Sequence, residues 1–399
     1  MSMEPLEGIK VLDLSRLLPG PFCSLLLGDM GADVVKVEAP GRGDYTRWLP
    51  PLVDGMGAAF IALNRGKRSI TLDLGSSAGQ EALRRLASRF DVVLEGFRPG
   101  VMAELGLDYE TLSRDHPELV YCSLTGYGQF GPLRDRAGHD LNYQALTGML
   151  DATRTADGVP ALPGVQAADL AGGALAAALA IVGALFARHR TGRGRYLDIS
   201  MVDGALSLMM MPLAVHLAAG SGGGPGEWLL SGGLVNYGVY PTRDGRALAV
   251  GAIEPKFWTR FLEKIERPDL ADLALSDGVN RDRARDALAE TIAARTRDEW
   301  MALLAGEDVC CDPVLDCDEV VHHPHHLARG MIQEVETGEG PLRTVVTPLP
   351  FGPGRWKGCM DGVPLLPRAP GLGEHGEAVL KENGFTVEEI DRLRLEAGL

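Results

Sequence analysis

Eighteen consecutive residues without a charge, Leu170 to Ala187, constrain this chain more than any other stretch. With Arg188 they make about five turns of helix rich in Ala, Gly, Leu, Ile, Val and Phe. Asp169 stands directly in front, and Asp is a good N-cap whose carboxylate faces unpaired N–H groups at the positive helix end. The length reaches the lower edge of a membrane span, but the Ala and Gly content makes the segment weakly hydrophobic. It therefore reads as a buried, tightly packed helix. Such a helix needs a large core around it, and 399 residues, 45% hydrophobic and 23% charged, provide one, with room for two domains.

The formal net charge of -15 argues against a general binder of phosphate backbones and so against a nucleic-acid partner. It leaves room for one anionic cofactor held in a local basic pocket. The cysteines Cys23, Cys122, Cys310, Cys311, Cys317 and Cys359 are scattered without a C-x-x-C pair, and MSMEPLEG carries no signal-peptide pattern. The expected setting is a reducing cytoplasm, with no membrane attachment.

From the N-terminus, Gly8 to Leu14 reads as a buried strand, followed by the loop Ser15 to Pro21, a helix to about Met30 and a strand at Asp33 to Val37. This β-α-β opening lacks the G-x-G-x-x-G fingerprint, and no G-x-x-x-x-G-K-[ST] occurs, which disfavours NAD and ATP. Arg65, Lys67 and Arg68 precede a further strand and read either as a solvated cluster or as an anion site. A helix from Gly79 to Arg89 leads to a strand at Asp91 to Glu95. Ligands collect at strand carboxyl ends in an open α/β sheet, which points to Leu72 to Gly75 and Gly96 to Arg98, with Arg98 able to pair with phosphate.

Leu119 to Leu124 is read as the next strand, and Gly126 to Pro132 as a turn-rich segment. His139 follows in a loop beside Gly138, where close approach to a ligand is possible, 30 residues before Asp169. Tyr196 to Met201 reads as a strand, Gly220 to Gly226 as a linker, Leu248 to Ile253 as a strand ending at Glu254, and Arg281 to Leu304 as mostly helical. His322-His-Pro-His-His326 is interrupted by proline and lacks regular metal spacing, so no metal is expected.

Several motifs carry a family resemblance. Val11 to Ser15, Pro19-Gly-Pro21, Gly28 to Pro40, Asn64-Arg-Gly-Lys-Arg68, Glu95 to Gly100 and Gly126 to Pro132 resemble the family III CoA-transferases. Gly138-His-Asp-Leu-Asn-Tyr143, Asp169 before Gly172-Gly173, and Gly251 to Phe257 are similar to one branch, the α-methylacyl-CoA racemases. The resemblance implies His139, Asp169 and Glu254 as catalytic residues, in racemisation of 2-methylacyl-CoA thioesters through an enolate. It implies a CoA-binding set of Leu17, Leu72, Asp73, Leu74, Gly75, Gly96, Phe97, Arg98, Gly138, Asp140, Leu141, Asn142 and Tyr143. Coenzyme A enters as part of the substrate, and no prosthetic group is expected.

That chemistry needs groups on both faces of the α-carbon and a stabilised enolate oxygen. His139 suits one face and Asp169 the other, Glu254 orients and charges His139, and N–H groups at the helix start receive the oxygen. The alternative is CoA transfer between carboxylic acids, with Asp169 as nucleophile. Ala39 and Glu104 depart from the branch, where basic residues stand. The fold class expected is α/β, a Rossmann-like large domain with a smaller α+β domain, in an interlocked homodimer whose partner chain contributes Glu254. The expected boundaries are 1–227 for the large domain, 228–330 for the small one, and 331–399 for a return to the large domain.

Overall fold

The computed structural model describes residues 4–154, 158–220, 228–350 and 365–399. It divides into two units, one of residues 1–147, 164–208 and 321–399, the other of 148–163 and 209–320. The second unit thus begins ahead of residue 228 and takes in a segment from before the central helix. Of the linker read at Gly220 to Gly226, only Gly220 lies among the described residues.

The first unit is built on six parallel strands: β1 (Lys10–Asp13), β2 (Asp33–Glu38), β3 (Arg68–Thr71), β4 (Val92–Glu95), β5 (Val120–Thr125) and β6 (Arg195–Ser200). Their spatial order is β3-β2-β1-β4-β5-β6. This is the order of a doubly wound Rossmann sheet, in which the strand order reverses between β1 and β4. The first five strands are near-continuous buried runs, with Val11, Leu12, Val35, Ile70, Val92 and Leu94 almost wholly inaccessible, while the edge strand β6 is partly exposed. Such runs are what a parallel sheet covered on both faces requires. Helices α1 (Pro19–Asp29) and α2 (Ser77–Ala87) follow β1 and β3, and α2 turns its apolar side, Ala82, Leu83 and Leu86, onto the sheet.

Helix α3 (Asp140–Leu146) leads to the long apolar helix α4 (Ala168–Thr191). Its first turns, Ala168–Leu175, have the wider π winding, a feature often found beside functional sites. The helix packs on β5, β6, α1 and α5 (Met201–Leu208). It is buried on one face only. Ala174, Ala177, Ala178 and Ala184, small enough for close packing, are buried together with Ile181, whereas Leu175, Leu179 and Phe186 are 42%, 76% and 65% exposed. The expected buried, tightly packed helix is thus buried along the face toward the sheet and exposed along the other.

The second unit has a three-stranded antiparallel sheet of β7 (Tyr237–Pro241), β8 (Ala247–Gly251) and β9 (Cys311–Pro313), with β8 in the centre. Helices α6 (Pro255–Lys264) and α7 (Gly278–Ala293) cover it through Trp258, Phe261, Leu288 and Ile292. After residue 320 the chain returns to the first unit. There α8 (Gly376–Glu382) and α9 (Val387–Glu396) add Val379, Leu380, Ile390 and Leu393 to the core beside α2.

Candidate active site

At the reversal point of the sheet, β1 runs into Ser15-Arg16-Leu17 and β4 into Gly96-Phe97-Arg98. Both turns are held by carboxylates at the strand ends: Asp13 accepts the Ser15 N–H at 2.9 Å, and Glu95 accepts the Phe97 N–H at 2.8 Å. Two cavities of about 330 Å³ each adjoin here, and Ser15, Arg16, Gly96 and Phe97 line both. These four residues form a waist between them.

The first cavity gathers Leu72, Asp73, Leu74 and Gly75 from beyond β3. Ala39 lines it where the family resemblance leads one to expect a cation. The second gathers Leu17, Arg98, Gly138, His139, Tyr143 and Asp169. His139 and Asp169, 30 residues apart in sequence, therefore face one space. Three members of the expected CoA-binding set line neither cavity: Asp140 is buried beneath, Leu141 is 42% exposed, and Asn142 uses its Oδ1 to accept the His139 N–H at 3.0 Å. Glu254 belongs to the second unit, where it is exposed at the head of α6.

Asp169 is not the N-cap of α4 but stands within its first turn. The capping carboxylate comes from Asp140, whose Oδ1 accepts the N–H groups of Ala168 at 2.8 Å and Asp169 at 3.0 Å. Its Oδ2 accepts the Gln144 side-chain amide at 2.6 Å. The helix-start donors expected to serve an enolate oxygen are thus engaged by Asp140, and a ligand oxygen would compete with it for them. Burial first, and the nearby Asp140 charge second, push the Asp169 carboxyl up to about 7. Near neutral pH the group is divided between acid and base forms, as a proton-transfer residue must be.

Gly138 owes its identity to packing. A Cβ there would come within 2.6 Å of the Tyr127 hydroxyl and 2.8 Å of the Tyr143 ring. The two tyrosines meet edge to face at 5.2 Å, and the Tyr143 hydroxyl donates to the Gly138 carbonyl at 2.6 Å, which fixes the loop carrying His139.

The cation cluster before β3 is corrected as a phosphate site. Arg65 pairs with Asp29 through two bonds of 2.7 and 2.6 Å, and Arg68 pairs with Asp33 and Glu382. Lys67 is buried among Asp13, Ser24, Asn64 and the Pro21 carbonyl, and burial is the main cause that lowers it to about 8. Arg98 lines the second cavity and makes no ion pair among the described residues. Arg16, Arg134 and Arg136 also line it, and sequence reading missed them. Arg16 had a usable signal, since it directly follows a strand of the opening β-α-β unit.

Comparison with known proteins places the chain in a family. The family description CoA-transferase family III matches residues 6–376. Human "Alpha-methylacyl-CoA racemase" is 39% identical over 97% of this chain and 96% of its own length. Mouse "Succinyl-CoA:glutarate CoA-transferase" is 35% identical over 84% of this chain and 77% of its own. A crystal structure of a CAIB/BAIF family protein from Brucella suis superposes with a TM-score of 0.81, at 34% identity, over 96% of this chain and all of that one.

Proposed function

We propose, given that the chain belongs to CoA-transferase family III and is an enzyme of that family, either a racemase or a CoA-transferase, that it racemises 2-methylacyl-CoA thioesters. The observation that carries this reading is a single cavity lined by both His139 and Asp169, two groups suited to proton transfer. One of them removes the proton from the α-carbon, leaving its electron pair delocalised onto the thioester oxygen as an enolate. The other returns a proton to the opposite face. Glu254 of a second copy of this chain orients His139 and stabilises its charge, a role taken from the family resemblance. The nucleotide part of CoA occupies the first cavity against Leu72 to Gly75, the thioester lies in the second, and Arg98 meets a phosphate.

The test is made in D₂O with one configuration of a 2-methylacyl-CoA as the sole substrate. Racemisation incorporates deuterium at the α-carbon and yields both configurations without an acceptor acid. CoA transfer, which the transferases among the relatives keep in view, needs a second carboxylic acid and gives no such exchange. If hydroxylamine traps an acylated Asp169 and His139→Ala keeps full activity, the reaction is transfer.

The enzyme is read as a homodimer, in keeping with the family resemblance. Leu175, Leu179 and Phe186 lie along one face of α4 and are exposed, an apolar stripe that a second copy would cover. Sedimentation at micromolar concentration is expected to return the mass of two chains. A single-chain mass there overturns the reading.

A further inference from the structure

Leu17 has a backbone φ of +67°, a conformation that side chains other than glycine seldom adopt. It is part of the turn that lines the second cavity, and its two predecessors, Ser15 and Arg16, belong to the waist. A strained residue persists only where its surroundings over-determine it. Here the surroundings are a buried ionic network. The Leu17 N–H donates to both oxygens of Asp44, at 3.2 and 3.1 Å. Asp44 is paired with Lys36 at 3.0 Å, and both side chains are wholly inaccessible.

Lys36 closes the arrangement by donating from Nζ to the Ser15 carbonyl at 2.8 Å. Thr46 holds the Asp44 carboxylate from its other side, donating from its N–H at 3.0 Å and from its hydroxyl at 2.8 Å. The pair therefore grips the turn at Ser15 and at Leu17, with Arg16 between them. The position of Arg16 follows, and its guanidinium lies over the Tyr45 ring and donates to the Tyr45 hydroxyl at 3.1 Å. A buried ion pair is costly to maintain unless its hydrogen bonds are completed, and this one completes them on the turn itself.

We propose that Lys36 and Asp44 are positioning residues for acyl-CoA binding, their buried ion pair holding Leu17 in its left-handed conformation and thereby shaping one wall of the waist between the two cavities. This rests on the reading that acyl-CoA spans both. The benefit is preorganisation: the turn is already set when the ligand arrives, so no binding energy goes into ordering it.

The experiment compares Asp44→Asn, Leu17→Val, Leu17→Gly and the double variant Asp44→Asn with Leu17→Gly. Asp44→Asn is expected to raise KM for a 2-methylacyl-CoA about tenfold while changing kcat less than about threefold. Adding Leu17→Gly recovers at least about threefold of that loss, because glycine takes a positive φ without support. With the network intact, Leu17→Val raises KM more than Leu17→Gly, since a β-branched residue resists φ of this sign. A folded Asp44→Asn with unchanged KM, or Leu17→Gly worse than Leu17→Val, overturns the proposal. If Asp44→Asn does not fold, the order of the two Leu17 variants decides. Hydrogen exchange separates this proposal from the acyl-CoA reading: the Leu17 amide exchanges at least about tenfold faster in Asp44→Asn than in wild type, with no substrate present. Unchanged exchange refutes the positioning role, whereas faster exchange in an enzyme that binds no acyl-CoA refutes only the ligand.

Discussion

Asp169→Asn is expected to lower kcat for the proposed racemisation by about 10³-fold, the middle of the range for losing a positioned acid-base group. Asparagine keeps the size and polarity of the side chain but carries no transferable proton. The fold is expected to survive the change. The Asp169 carboxyl sits at about 7, against 3.8 for a free one, so between those values the folded chain binds more protons than the unfolded chain. Stability from this group therefore declines as pH rises through that window, and ionised Asp169 is a cost above it. The variant, having no charge to bury, should melt no lower than wild type at pH 8. The pH profile carries the sign of the mechanism. For the configuration whose proton Asp169 removes, the rate rises with pH through about 7, while the opposite direction needs Asp169 protonated and falls through the same region. Asp140→Asn retains an oxygen for the Ala168 and Asp169 N–H groups and removes a neighbouring negative charge, so both inflections move to lower pH. Full turnover by Asp169→Asn, or inflections that ignore Asp140→Asn, would remove Asp169 from the proton path.

Gly204→Val is the substitution expected to damage the fold most. Helix α5 crosses the start of α4 with backbone against backbone, and a Cβ at Gly204 would lie 1.9 Å from the Gly172 carbonyl oxygen and 2.5 Å from its carbon. At Gly172 a Cβ would meet the Ala205 nitrogen at 2.6 Å. Neither obstruction is a side chain that could rotate away. The helices must separate, and overpacking of this kind costs about 3 kcal/mol or more, with a fall in Tm as its measure. Because Gly172 lies less than one turn beyond Asp169, activity should fall along with stability. Gly183→Ala is the internal comparison. It also lies in α4, but nothing stands within 4 Å of its added Cβ, so the change should stabilise by about 0.5 to 1 kcal/mol through helix propensity. Equal melting of wild type and Gly204→Val would show that the two helices do not depend on this close approach.

Local pattern was sufficient for much of the architecture. The apolar runs at 11–14, 33–37 and 91–95, separated by helical segments, specify a parallel sheet because each strand is covered on both faces and needs no alternation. A strand order of 3-2-1-4-5-6 puts the turns after β1 and β4 side by side; the turn at Gly96 to Arg98 is legible as ligand-lining from its place after a strand, whereas Ser15 and Arg16 join it only through that order. Asp169 was legible as a functional carboxylate only together with the motifs around His139 and Glu254. Its position relative to the helix was misread by a few residues, since the π-wound start of α4 takes in Ala168 and Asp169 as well.

By itself, the sequence determined which residue types stand at the ends of which strands, and so where a ligand crevice must form. Tertiary structure alone decided which charges are available there. Arg65, Lys67 and Arg68 are as cationic as Arg98 in any local reading, yet the first three are spent on Asp29, Asp13, Asp33 and Glu382. It also decided that Asp140, 28 residues upstream of Ala168, caps α4 and charges the surroundings of Asp169, and that Lys36 and Asp44 hold the turn at Leu17. The physical reason is the range of the interactions. Burial of an apolar face follows a period of two to four residues and is written in the chain, whereas a carboxylate is satisfied by whichever donors the fold brings within about 3 Å, at any separation in sequence.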